Sequence, residues 1–278
     1  MAQYTSFRAG GTAEYLIVVD DKTQLKELLK YVKIKCIDHL LVGNGSDLLF
    51  RDGIYEGIVI KLGNEFKKIT VKGDVIVAGA SSPLSKISAA ASDNSLMGFE
   101  FASGIPGSLG GGLYMNAGAY GGELKDVIIA VNAISPDGKN EYVFSNENME
   151  FEYRNSALQR NKMIVTSAVI KLKKGEKEEI AAKILELTTK RNSKQPVDFP
   201  SAGSTFKRPK QGYAAQLIEE AGLKGLTVGG AQVSQKHAGF IINKGKATAT
   251  DIIQLIKLVQ NTVYDNTGIM LEPEVRII

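Results

Sequence analysis

Two stretches of this chain combine residue types and spacings that can hold an anion. Gly43-Asn44-Gly45-Ser46-Asp47 follows directly on the apolar run Leu40–Val42. A strand running into such a turn presents consecutive backbone N–H groups, the arrangement of an anion-binding nest. An ordinary tight turn uses the same residues, so the segment alone does not decide between the two. Residues 104–122, GIPGSLGGGLYMNAGAYGG, contain eight glycines in nineteen positions. Glycine this dense costs chain entropy and is tolerated where the backbone takes positive φ or approaches something closely. Within it, Ser108 and the glycines after Pro106 are expected to open a short helix whose N-terminus faces a phosphate. Two cradles in one domain suit a diphosphate with something bulky attached.

The standard nucleotide motifs do not describe these cradles. The chain has no GxxxxGK[ST], which excludes a P-loop. GNGSDL lacks a third glycine, and no acidic residue ends a second strand at the spacing a Rossmann fingerprint requires. Charge adds a third feature. Residues 1–172 are net −1 and residues 173–278 net +5, with Lys190, Arg191, Lys194, Lys207, Arg208 and Lys210 set against Asp198 alone between 190 and 210. That field suits an anionic ligand, although a solvated basic loop has the same composition.

The elements that must position these groups follow from periodicity. Tyr15–Val19, Gly57–Leu62, Lys67–Val71 and Val75–Gly79 are short β-branched runs bounded by Gly and Asp. Leu25, Leu28, Leu29 and Val32 predict a helix over about 22–33. Ser82 as N-cap with Pro83 in the first turn predicts another through Leu84–Ala91. Val127–Ser135 and Glu141–Phe144 around Pro136-Asp137-Gly138 read as a hairpin, and Ile164–Leu172 as a strand. Lys171–Glu179, with seven charges in nine residues, is the expected domain boundary. Beyond it come helices at Ile180–Arg191, Tyr213–Ala221 (stopped by Gly222) and Thr250–Asn266, then a terminal strand Met270–Ile278.

Composition narrows the class further. Of 278 residues, 44% are apolar and 23% charged, which supports a globular chain of about two domains and excludes a disordered one. Cys36 is the single cysteine, so there is no internal disulfide and no multi-cysteine metal site. No metal is expected. The N-terminal MAQYTSFRAGG lacks the apolar segment of a signal peptide, and the uncharged run 101–122 is too rich in glycine for a membrane helix. A cytoplasmic protein without a membrane span is the expectation.

GNGSDLLF, GIPGSLGGGLYMNAGAYGG, EYRNS, PSAGSTFKRP and LEPEVRII, in that order along the chain, resemble the UDP-N-acetylenolpyruvoylglucosamine reductases. These are flavoenzymes of peptidoglycan precursor synthesis. The resemblance runs end to end, and five motifs in register are far more specific than one. It implies an α+β fold: a two-subdomain FAD-binding module of the vanillyl-alcohol-oxidase type at 1–172 (about 1–62 and 63–172). A smaller α/β substrate-binding domain at 173–278 follows it. Family members carry some tens of residues before a YTSFRAGG-like segment, so an N-terminal helix is expected to be missing here or the start misassigned. Asp47 stands where the family commonly has Asn, and the shorter C-terminal domain resembles the second subtype.

The resemblance also implies the chemistry and its residues. NADPH reduces non-covalently bound FAD; hydride then passes to Cβ of an enolpyruvyl ether, and a proton arrives at Cα. Arg154 of EYRNS is the implied stabiliser of the carboxylate and developing enolate, for which a planar bidentate donor suits. Ser204 of SAGSTF is the implied proton donor. Glu274 is the third catalytic candidate; Glu272, on the same face of an expected strand, competes with it. Flavin contacts are implied for Gly43, Asn44, Gly45, Ser46 and Asp47, and for Gly104, Ile105, Pro106, Gly107, Ser108, Gly110, Gly111, Ala117 and Gly118. Val165 and Arg191 are weaker candidates of the same kind. Tyr120, Lys194, His237 and Arg276 are the implied contacts to the UDP-sugar, with His237 equally readable as a structural histidine and His39 as structural. No nucleic acid and no obligate protein partner are expected. Two other readings compete: a sugar or sugar-alcohol oxidase on the same fold, and a nucleic-acid-binding module using residues 190–210.

Overall fold

The computed structural model describes all residues, Met1–Ile278. The chain forms two compact units that are interleaved rather than successive. One comprises Tyr15–Asn44 and Gly57–Lys190; the other comprises Met1–Glu14, Gly45–Glu56 and Arg191–Ile278.

The larger unit contains one whole sheet and most of a second. A five-stranded antiparallel sheet runs in the order Glu141–Ser145, Ile128–Ile134, Ile164–Lys171, Val75–Gly79, Ile69–Lys72. Alternation along Ile164–Lys171 buries Ile164, Ala168 and Ile170 in the core of this unit. A three-stranded sheet has Ile54–Leu62 between Thr12–Val19 and His39–Leu41, the last pairing in parallel (Leu40 opposite Val59). Helix Lys22–Lys35 turns Leu25, Leu29 and Val32 inward at the predicted spacing, capped by Asp21, whose side chain accepts from the Gln24 amide. Cys36 takes the left-handed conformation that ends this helix and is exposed.

The smaller unit packs helix Ala249–Thr267 and helix Ala214–Glu220 with a three-stranded sheet of Thr227–Val228, Ala231–Val233 and Ile241–Asn243. Ile252, Ile256, Val259 and Val263 line the buried side of the long helix, and Gly268 closes it at φ +71°.

Several expectations shift. The charged run 171–179 is no boundary, since Lys173–Lys174 pairs with Leu96–Met97 and helix Lys177–Lys194 starts within it. The first residues of the chain belong with its end: Asn243 Nδ2 donates to Phe7 O at 3.0 Å, and Leu48–Leu49 pairs in parallel with Arg276–Ile277. Asp52 accepts from the first amides of the long helix, at Ala249 (3.0 Å) and Thr250 (2.8 Å). Helix Leu84–Asp93 takes Pro83, not Ser82, as its N-cap. The terminal strand is only Arg276–Ile277; Pro273 has no N–H to donate, and 271–275 meet Phe206 through a single bridge. The α+β class stands.

Candidate active site

In the larger unit the two glycine segments meet. Asn44 Nδ2 donates to Pro106 O at 3.1 Å, and a Cβ on Gly43 would lie 2.3 Å from Ser108 Oγ. A Cβ there would require the Ser108 hydroxyl to turn away, so the two segments pack closely at Gly43. Lys61 Nζ donates to Gly43 O at 2.7 Å. Burial and the charge of Lys67 hold this lysine below the usual lysine range, and it places a half-buried ammonium behind the turn. Sequence reading missed it. Its signal is a single charge in the otherwise buried run Ile58–Leu62.

The remainder of the first segment lies in the smaller unit. Gly45 has φ +62°, and a Cβ there would lie 2.1 Å from Tyr4 O. The amides of Gly43 and Asn44 in the larger unit, and those of Gly45 and Ser46 in the smaller, donate to no backbone carbonyl.

The second segment corrects one expectation. Helix Leu109–Tyr114 begins after Ser108, as predicted, but its first amides are occupied: Leu109 N–H bonds Ser82 O and Gly110 N–H bonds Ala80 O, both at 2.8 Å. The helix start is therefore a packing contact. What this segment keeps for an anion is the amides of Gly107 and Ser108, which make no backbone bond. Each unit has a buried hydroxyl without a hydrogen-bond partner beside its own segment: Ser6 Oγ in the smaller, whose amide bonds Gly45 O, and Ser82 Oγ in the larger, whose carbonyl accepts from Leu109. Within the larger unit, the amides of Gly43, Asn44, Gly107 and Ser108 without backbone acceptors, the orphaned Ser82 hydroxyl and the Lys61 charge fit an oxygen-rich cofactor such as FAD.

Other cofactor candidates have varied surroundings. Ala117 is tied to the helix through its amide bond to Gly112 O, and Gly118 pairs with Glu123 in a short hairpin. Gly104 and Ile105 are half-buried beside exposed Pro106, and Gly111 is exposed. Val165 is 4% exposed and its side chain is part of the core. Arg191 lies in the last turn of helix Lys177–Lys194, as does exposed Lys194.

Arg154 and Tyr120 belong to the larger unit, both at positive φ (+56° and +54°). Non-glycine residues there carry backbone strain, which clusters at functional sites. Arg154 tips a turn closed by the Glu152–Asn155 bridge; its carbonyl accepts from Gln159 Nε2 at 3.0 Å, and its guanidinium lies 4.9 Å from the Tyr153 ring centre. Glu123 feels that charge. Its carboxyl is held below the usual range first by its bond to Lys125, despite partial desolvation, then by Asn116 and the charges of Lys125 and Arg154. Tyr120 is exposed at the hairpin tip, with Lys190 Nζ 5.5 Å from its ring.

Ser204, Glu274, His237 and Arg276 belong to the smaller unit. Ser204 is exposed on a loop whose next residue, Thr205, is fully buried. Glu274 N–H donates to Thr205 O at 2.8 Å, so the candidate acid and carboxylate sit on adjoining segments of one bridge. The structure separates the two glutamates: Glu272 is exposed and paired with Lys207, whereas Glu274 is half-buried. Arg276 N–H donates to Asp47 O at 3.0 Å, tying the C-terminal motif to the end of the first glycine segment. His237 Nδ1 accepts from the Gly239 amide at 3.1 Å, and burial lowers its pKa.

These features define a FAD-containing oxidoreductase, and a family model described as a FAD binding domain matches residues 13–141. A second model, the C-terminal domain of UDP-N-acetylenolpyruvoylglucosamine reductase, matches residues 195–278. Reductases of that name from Clostridioides difficile strain 630 and Clostridium botulinum strain Alaska E43 are 47% and 48% identical. Each of those matches covers 100% of this chain and 91% of the relative. The crystal structure of the reductase from Thermus caldophilus matches with a TM-score of 0.87 at 36% identity, covering 99% of this chain and 96% of that one. The chain belongs to the UDP-N-acetylenolpyruvoylglucosamine reductase family. No helix is long and apolar enough to cross a membrane.

Proposed function

We propose that this protein reduces the enolpyruvyl ether of UDP-N-acetylglucosamine to UDP-N-acetylmuramate, a step of peptidoglycan precursor synthesis, with NADPH as reductant. When bound, FAD would supply the hydride-transfer chemistry between NADPH and Cβ of the enolpyruvyl group. The amides of Gly43, Asn44, Gly107 and Ser108 would hold its diphosphate, with Lys61 adding positive charge behind them. The remaining work belongs to side chains. Hydride arrival at Cβ builds negative charge on Cα and the carboxylate, and Arg154, held on a strained turn, is the residue to bind it. Ser204 delivers the proton to Cα, and Glu274 polarises the substrate carboxylate. Tyr120, Lys194 and Arg276 are the contacts proposed for the UDP-sugar.

The observation that carries this reading is the bond from Glu274 to Thr205, which puts a half-buried carboxylate on the segment beside an exposed serine. An oxidase of the same fold has no use for an acid at Cα. Anaerobic mixing of the FAD-loaded protein with NADPH tests the first half of the proposal: rapid bleaching of the flavin supports it, and slow bleaching or none counts against it.

A further inference from the structure

We propose that His237 is a positioning residue for the proton-delivering loop, setting the backbone beside Ser204 through Gly239. The inference rests on Ser204 as the proton donor. Gly239 is bonded on both sides: its amide donates to His237 Nδ1 at 3.1 Å, and its carbonyl accepts from the Thr205 amide at 2.8 Å. Imidazole and serine loop are thus joined through one residue. Thr205 Oγ1 in turn accepts from Ile241 N–H at 3.0 Å, so the loop is fixed from the same segment by two bonds.

The ring cannot drift. A Cβ on Gly239 would lie 3.2 Å from both His237 Nδ1 and Ala215 Cβ, so ring, backbone and helix are in close contact. Phe240 meets the imidazole edge-on, with centres 4.9 Å apart at 70°, and the His237 amide bonds Ser234 Oγ. Accepting from Gly239 requires a bare Nδ1, which is the neutral Nε2–H tautomer. Burial favours that neutral form and outweighs a hydrogen bond to the residue's own backbone that favours the charged one; the charge of Lys224 adds a smaller contribution toward neutrality that Glu219 partly offsets. Lys236 and Glu220 are the other charged groups lining the groove beside the ring. Protonation would set one N–H against another and release the loop. A diphosphate contact would favour the charged imidazole instead, so this geometry assigns His237 a backbone-holding role.

Two substitutions separate this role from general packing. In His237→Asn the side-chain oxygen replaces Nδ1 as an acceptor for Gly239; in His237→Leu no acceptor remains. With both variants loaded with FAD, flavin bleaching by NADPH is expected to match wild type. Reoxidation by the enolpyruvyl substrate is expected to slow about tenfold in His237→Leu, the scale of one lost hydrogen bond, and to be largely restored in His237→Asn. In wild type the reoxidation rate falls on acidification below the ordinary imidazole range, because burial lowers the pKa of the ring; the Asn variant lacks that limb. A readout without turnover accompanies this: the Gly239 and Thr205 amide NMR shifts move with pH in wild type and not in His237→Asn. Equal reoxidation in His237→Leu and wild type, or failure of Asn to restore it, overturns the inference. If Ser204→Ala slows reoxidation and His237→Leu does not, the inference falls while the reading of Ser204 stands. Normal reoxidation in Ser204→Ala overturns both.

Discussion

The Glu274 amide donates to the carbonyl of Thr205 at 2.8 Å, so the C-terminal motif and the serine loop are neighbours although about seventy residues separate them. That bond makes the roles of the two segments separable by substitution.

Ser204→Ala is expected to leave flavin reduction by NADPH intact and to lower product formation by roughly 10²- to 10⁴-fold, the range for loss of a general acid. Rapid-mixing absorbance of the two half-reactions measures it. Equal loss in both rejects the proton-donor role.

Glu274→Gln and Glu272→Gln should differ sharply. Glu272 forms an exposed pair with Lys207, and such pairs contribute at most about 1 kcal/mol, so Glu272→Gln should turn over normally. Glu274→Gln should lower the reoxidation rate while KM for NADPH is unchanged. Steady-state kinetics of the pair decides between them.

Much of this was legible beforehand, for local reasons. Glycine density at 104–122 and after Val42 signals close backbone approaches, as at Gly112 against Leu124 and Gly45 against Tyr4 O, because steric demand for glycine is written in composition. Helix Lys22–Lys35 follows from the spacing of Leu25, Leu29 and Val32. What was hidden depends on distant partners. Nothing near Phe7 or Asp52 predicts Asn243 or the start of helix Ala249–Thr267, so the interleaving of the units was invisible. Alternation could not separate Glu272 from Glu274, because Lys207 and Thr205 make that distinction. The helix after Ser108 looked free at its N-terminus because the carbonyls of Ala80 and Ser82 that occupy it lie far back in the chain.

Lys61→Met keeps an apolar stem of similar length in a buried strand while removing the charge behind Gly43. It should weaken FAD binding and flatten its salt dependence, with little effect on apoprotein stability. Fluorescence titration of apoprotein with FAD at two ionic strengths reads both effects.

Gly45→Ala forces a side chain into a left-handed position against Tyr4 O. The conformation alone costs about 1–2 kcal/mol, and the contact adds to it, so the melting temperature and FAD retention should fall together.

Asp251 closes a capping box with Thr248, and bonds from the Thr248 and Gly230 amides hold its carboxyl below the usual range. A depressed carboxylate stabilises the fold above its unfolded pKa and loses that contribution as pH falls through the folded value. Thermal melts of wild type should therefore lose stability below about pH 4 more steeply than those of Asp251→Asn, with a difference near neutrality of about 0.5–1 kcal/mol.

The most direct measurement follows one enzyme equivalent through both halves of the reaction. Protein reduced anaerobically with a single equivalent of NADPH is mixed with the UDP-N-acetylglucosamine enolpyruvyl ether. Full return of the oxidised flavin spectrum with one UDP-N-acetylmuramate per flavin is the predicted result. A flavin that stays bleached until oxygen is admitted, with the ether recovered unchanged, would contradict it.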